Sequence, residues 1–232
     1  MRFPRPLVRG VLLRRYKRFL ADIRLTDGTE ITAHCPNQGA MLGLAEPGLE
    51  VWLLPSADAR RRLAWSWELV KSGDHLVGIN TARPNGLAAE ALASGRIPEL
   101  AGYPGIRREV AYGERSRVDL LLSGPGRPIC YVEVKNVHLR RGMAAEFPDC
   151  ATARGARHLG ELAAATRAGH RAVMLYVVQR GDCRSFRIAA DLDPLYDVAV
   201  RQARAAGVET LCYTCRVTLE GIEIERPLAF AT

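Results

Sequence analysis

The sequence predicts an α/β protein in two parts: a small N-terminal β-barrel over residues 1–80, then an α/β domain with a central mixed sheet over residues 81–232. Three observations predict it. Short strand-like runs fill the first eighty residues with no convincing helix among them, and after Asn80 helices and strands alternate. Two adjacent strands of the second part also carry acids in otherwise apolar settings.

In the first part, strands are expected over Leu7 to Leu13, Phe19 to Leu25, Glu30 to Cys35, Glu50 to Pro55 and Trp65 to Val70, with Leu76 to Asn80 as a sixth. Thr26-Asp-Gly-Thr29 separates two of them and is a strong hairpin signal. Several short strands in so little chain suggest a closed barrel. The OB-fold is the common small barrel that pairs with a basic, aromatic face. In the second part Pro84 to Ser94 reads as a short helix with Leu87, Ala91 and Leu92 inward, and Arg107 to Tyr112, Val118 to Leu122 and Ile129 to Val137 read as strands. Asp149 is placed to cap a helix through Ala168, with Leu159, Leu162, Ala163 and Thr166 at core spacing and Gly169 ending it. Ala172 to Val178 follows as a buried strand, Leu195 to Ala206 as a helix and Val208 to Arg216 as a last central strand.

The segment Arg117 to Lys135 carries the chemistry. Ser123-Gly-Pro-Gly-Arg-Pro128 is a turn, so the hairpin returns Glu133 and Lys135 beside Asp119. Alternation puts Tyr131, Glu133 and Lys135 on one face and Val132 and Val134 on the other. Two carboxylates and an ammonium are costly to desolvate unless a cation neutralises the acids, and a divalent ion with oxygen ligands does so. This is the pattern of a metal-dependent nuclease centre. The competing reading is a solvated surface hairpin, against which stand the apolar neighbours Val118, Leu120, Leu121, Leu122, Val132 and Val134.

Composition adds a partner. The 232 residues carry 33 Lys and Arg against 25 Asp and Glu, a formal charge of +8 that favours a polyanion. Arg14, Arg15, Tyr16, Lys17, Arg18 and Phe19 interleave cations with rings, and Arg60-Arg61-Arg62 precedes Trp65 and Trp67. Cations for phosphates with rings for bases suit nucleic acid, single strands above all. The alternative is that Trp65 and Trp67 are core and the arginines a solvated rim. No run approaches the ~18 apolar residues of a membrane helix, and the N-terminus lacks a secretory signal, so a cytoplasmic protein without a membrane partner is expected. Six scattered cysteines fit a reducing compartment. Cys212 and Cys215 have zinc or redox spacing, but residues three apart on a strand face opposite ways.

The order helix, three strands, helix, strand, carrying Asp119, Glu133 and Lys135, resembles the PD-(D/E)xK nuclease superfamily, with Val118 where the motif name has proline. A closer resemblance covers nearly the whole chain. Arg15-Tyr-Lys-Arg-Phe-Leu-Ala-Asp22, His34-Cys-Pro-Asn-Gln-Gly-Ala-Met41, Glu114-Arg-Ser-Arg-Val-Asp119, Tyr131-Val-Glu-Val-Lys135 and Phe147-Pro-Asp-Cys-Ala-Thr-Ala-Arg-Gly-Ala-Arg-His-Leu159 are similar to the sugar fermentation stimulation protein A family. That resemblance implies an OB-like domain joined to a PD-(D/E)xK nuclease-like domain. It also implies DNA binding of low sequence specificity and a link to regulation of maltose-type sugar metabolism. Two departures stand out: Arg157 where lysine is usual, and Gln38 where threonine is usual.

The resemblance further implies that Asp119, Glu133 and the carbonyl of Val134 hold Mg²⁺ or Mn²⁺, that Lys135 stabilises developing charge, and that Glu90 is the extra acid of the first helix. Arg154, His158 and Glu161 fall on one stripe of the helix after the site, either for binding phosphate and ordering the acids or as an ordinary polar face. Two functions stay open: a DNA-binding regulator using the nuclease-like domain as a scaffold, and an active metal-dependent nuclease acting on DNA or RNA. Whether the chain is a dimer is open as well.

Overall fold

The computed structural model describes residues 1–58, 60–112 and 116–231, so Glu114 and Arg115 of the Glu114 to Asp119 motif lie outside the described residues. The first part is built from β1 (Val8–Tyr16), β2 (Leu20–Leu25), β3 (Glu30–His34), β4 (Glu50–Pro55), β5 (Trp65–Ser72) and β6 (His75–Gly78). Their order is β3-β2-β1-β4-β5-β6, and a parallel bridge between His34 and Ser66 joins β3 to β5 and closes an OB-like barrel of five strands. Gly28 makes the β2–β3 turn at φ +88°, a conformation that favours glycine. Leu12, Ile23, Leu53, Trp67, Val77 and Ile79 fill the barrel.

The second part runs α1 (Pro84–Ala93), β7 (Gly105–Tyr112), β8 (Ser116–Ser123), β9 (Cys130–Val137), β10 (Leu139–Arg141), β11 (Ala144–Phe147), α2 (Ala153–Arg167), β12 (Arg171–Val178), β13 (Ser185–Ile188), α3 (Pro194–Ala205), β14 (Glu209–Val217) and β15 (Ile222–Pro227). Its central sheet has the order β15-β14-β12-β9-β8-β7, parallel at β14-β12-β9 and antiparallel outside. That mixed sheet matches expectation. Strands β10, β11 and β13 make a second small sheet that the sequence pattern did not mark, because three or four residues rich in arginine and alanine show no usable alternation.

Two cores flank the central sheet. On one face α1 packs on Leu120, Leu122, Val132 and Val134 together with Trp52 and Leu69 of the barrel, so the two parts share a core. On the other, α2 and α3 cover Met174, Tyr176 and Val178. Cys215 lies in the first core and Cys212 in the second, both as free thiols, which is the opposite-face placement that strand alternation requires. Among the described residues, no helix is long and apolar enough to cross a membrane.

The cap of α2 differs from expectation. Thr152 is the N-cap, its hydroxyl accepting from Gly155 N–H at 3.1 Å. Asp149 is turned instead to the barrel: it accepts from the backbone N–H of Met41 at 2.9 Å and bonds His138 Nε2 at 3.1 Å. Gly39 faces the same carboxylate so closely that a Cβ there would stand 2.4 Å from Asp149 Oδ2. The His34 to Met41 motif is therefore the barrel's seat on the segment leading into α2.

Candidate functional site

The ladder between β8 and β9 ends at Leu120 opposite Val132, one residue short of Asp119 and Glu133. Beyond it the strands separate and a side chain takes over: Asp119 Oδ2 accepts the Val134 N–H at 2.7 Å. The N–H and C=O of one strand residue leave the same edge, so the Val134 carbonyl faces the same opening. Asp119 Oδ1 accepts from Asn85 of α1 at 2.7 Å, and Asn85 also reaches Glu109 at 3.2 Å.

Glu133 is 2% exposed and shares its face with Lys135 and with α2. Its Oε1 accepts from Lys135 Nζ at 2.7 Å and makes a short contact with His158 Nδ1. His158 Nδ1 lies 3.2 Å from Lys135 Nζ, and Arg154 Nε donates to His158 Nε2 at 3.3 Å. Glu133 Oε2 is buried and has no hydrogen-bond partner among the described residues. Native structures rarely leave such an atom unmatched.

The two acids are pulled apart electrostatically. Burial and the neighbouring charge of Glu133 raise Asp119 above the usual carboxylate range, against the Val134 N–H, Lys135 and Asn85. Burial pushes Glu133 up as well, but its bonds to His158 and Lys135 outweigh that and hold it low. A pair of this kind, one acid stabilised as the anion and the other strained as one, gains from a cation. Among the described residues no group of three or more His, Cys, Asp or Glu could hold a metal, so protein ligands would be the two carboxylates and the Val134 carbonyl. That donor set, all oxygen with two carboxylates, fits Mg²⁺ or Mn²⁺, ions that keep several waters, and the orphaned Glu133 Oε2 is the atom it would match.

The structure brings together Asp119, Glu133, Lys135, Val134, His158 and Arg154. It does not bring Glu90, whose half-exposed carboxylate accepts from the amino group of Met1 at 3.0 Å. Asn85, five residues earlier on α1 and so turned well away around the helix, is the α1 side chain at the pair. Attention to charge alone passed it over. Tyr112 was missed as well: its hydroxyl donates to Glu161 at 3.3 Å, and burial followed by the charges of Glu133, Glu161 and Asp119 drives its ionisation far out of reach.

The barrel's basic residues divide by role. Arg15 is structural, donating at 2.9 Å to the carbonyls of Arg18, Asn37 and Gly39 and so fixing the loop that seats on Asp149. Arg14 pairs with Asp22 at 2.7 Å and lies over the Tyr16 ring, whose hydroxyl also goes to Asp22. Lys17 and Arg18 occupy a left-handed turn, φ 49° and 63°, followed by the exposed Phe19. Arg18 donates to the Gln38 carbonyl at 3.3 Å, and its charge is felt at Cys150, just ahead of α2. Arg61 stands 3.4 Å from His34. Trp67 is fully buried with its indole N–H on the Leu69 carbonyl and offers no ring face for stacking, while Trp65 is half-buried against the same core.

An OB-type barrel sharing a core with an α/β domain, and a paired-acid centre on the sheet of the latter, define the class. Residues 13–79 match the model of the SfsA N-terminal OB domain and residues 82–221 that of the sugar fermentation stimulation protein RE domain. The chain belongs to the sugar fermentation stimulation protein (SfsA) family. It is 61% identical to the sugar fermentation stimulation protein homolog of Paramagnetospirillum magneticum, over 98% of this chain and 97% of that one. The homolog of Rhodospirillum centenum is 59% identical, over 98% of each. Among solved structures, SfsA of Pyrococcus furiosus in complex with Ca²⁺ superposes over the whole of both chains with a TM-score of 0.89 at 28% identity.

Proposed function

We propose that this protein binds nucleic acid with little sequence preference and that its second domain carries a divalent-metal centre for phosphodiester hydrolysis. The observation that carries the reading is the buried, unmatched Oε2 of Glu133 beside Asp119 and Lys135. The Pyrococcus furiosus relative is in complex with Ca²⁺, a cation that prefers oxygen ligands, and this supports divalent-cation binding by the present fold.

Asp119, Glu133 and the Val134 carbonyl would hold the ion, which supplies charge that polarises a phosphate and activates water. Asn85 and the Val134 N–H fix the Asp119 carboxylate, so only small adjustment is needed on loading. His158 braces both Glu133 and Lys135 from α2. Lys135 is a compact cation at the centre's edge, suited to charge that builds on the phosphate in the transition state. Arg154, one turn before His158, and the exposed Lys17 and Arg18 of the barrel supply further phosphate contacts on the approach from Cys150. Any effect on sugar metabolism follows indirectly from action on nucleic acid. A second reading, a regulator that binds without cutting, draws support from the engagement of both Asp119 oxygens by protein donors.

The test incubates the protein and Glu133→Ala with single- and double-stranded DNA and RNA under Mg²⁺, Mn²⁺ or chelator. Cleavage by the wild type alone, and only with metal, is the expected result. Binding with no cleavage under any condition would leave the regulator reading.

A further inference from the structure

Three half-buried rings run from the acid pair along the face of β9. Tyr112 and Tyr131 have centroids 5.4 Å apart at 34°, and Tyr131 and His170 have centroids 5.4 Å apart at 57°. Each is held by its backbone. Tyr112 ends β7 and is tied by its hydroxyl to Glu161 of α2. Tyr131 is two residues from Glu133 on the same face, in register with Leu121 of β8 and Ala172 of β12. His170 follows Gly169 (φ +84°) at the end of α2, its N–H bonded to the Ala165 carbonyl at 3.1 Å. None of the three is hydrogen-bonded to Asp119 or Glu133 among the described residues, and Tyr131, beside Leu121 of β8, also packs on the core under α2 and α3.

We propose that Tyr112, Tyr131 and His170 form a stacking ladder for unpaired nucleobases, which makes the centre act on single-stranded or frayed nucleic acid. The inference rests on the reading of the acid pair as a phosphodiester centre. Same-face residues on a strand are ~6.6 Å apart, comparable to one nucleotide of an extended strand. A phosphate at Glu133 and Lys135 therefore sets the adjoining base over Tyr112 and Tyr131 and the next over His170. Paired bases present no free ring face to such a ladder, whereas any unpaired base does, so selectivity is for strand state and not for sequence.

The probe is an oligothymidylate bearing a single 2-aminopurine, or an abasic site, at successive positions, bound to the full chain in Ca²⁺. The ladder predicts quenching at one or two adjacent positions only, and about tenfold or greater loss of affinity for the abasic strand at those positions, on the scale of one lost base stack. His170→Ala should bind intact and abasic strands alike at the position set over His170 and Tyr131→Leu at the position set over Tyr112 and Tyr131, Tyr131→Phe should match the wild type, and the salt slope should not change. The abasic comparison on the wild type needs no variant to fold. Equal affinity of the wild type for intact and abasic strands at every position overturns the ladder while leaving the phosphodiester centre standing. Absence of single-strand binding together with absence of metal-dependent cleavage overturns both.

Discussion

At the scale of single residues, the acids differ in what they cost the fold. Asp119 is buried beside another carboxylate and raised in pKa, so its ionisation at neutral pH opposes folding while no cation is bound. Asp119→Asn should melt higher than the wild type in chelator and lose the rise in melting that Mn²⁺ gives the wild type, a comparison made by thermal denaturation. The sign is opposite at Glu133, whose Oε1 is paired with Lys135 and His158: Glu133→Ala leaves both facing no anion and should cost about 3–5 kcal/mol, the usual penalty for breaking a buried pair from one side. Lys135→Met should retain metal binding, since Lys135 donates to Glu133 Oε1 and not to the free Oε2, yet lose cleavage by about 10²-fold or more. Asp119, Glu133 and Lys135 were legible in the sequence because hairpin spacing and strand parity place charges. Asn85, Tyr112 and the bracing contact of His158 depend on where α1 and α2 dock, which no local pattern states.

At the scale of elements, the decisive joint is the barrel loop on the lead into α2. Burial works against the Asp149 carboxylate, but His138 and the Met41 N–H overcome it and hold its pKa at about 2. A carboxyl depressed in the folded state contributes stability that is full above its unfolded pKa, near 3.9, and is lost as pH falls toward the folded value. Asp149 should thus contribute about 2 kcal/mol at neutral pH that disappears between roughly pH 5 and pH 2. Asp149→Asn should lower the neutral-pH melting temperature and flatten that acid limb; an unchanged limb would detach the joint from Asp149. Gly39→Ala meets the same carboxylate and should destabilise by about 1–3 kcal/mol, the scale of overpacking. The strands and helices themselves were readable from alternation and periodicity, but the Asp149 cap was misplaced. An aspartate three residues ahead of Thr152 looks like a cap in sequence, and only the packed barrel shows the Met41 N–H competing for it.

At the scale of the whole molecule, the barrel and the α/β domain do not stand apart. Trp52 and Leu69 lie in one core with α1 and the central sheet, and Gln179 after β12 receives the Gly78 N–H and donates to the Asn80 carbonyl. A barrel cut off near residue 79 would bare that apolar surface, so binding is best studied on the intact chain. Calorimetry should find one cooperative transition for both parts, and two resolved transitions would contradict the shared core. Composition gave the +8 charge and with it the expectation of a polyanion, but not its distribution: Arg14 and Arg15 are engaged within the protein, whereas Lys17 and Arg18 stand on an exposed left-handed turn and the exposed Arg154 reaches His158. The proposed cation centre at Asp119 and Glu133 is tested by counting bound Mn²⁺ with electron paramagnetic resonance. A saturable site is expected in the wild type that vanishes in Glu133→Gln and survives in Lys135→Met; equal Mn²⁺ binding by wild type and Glu133→Gln would show that the acids hold no cation.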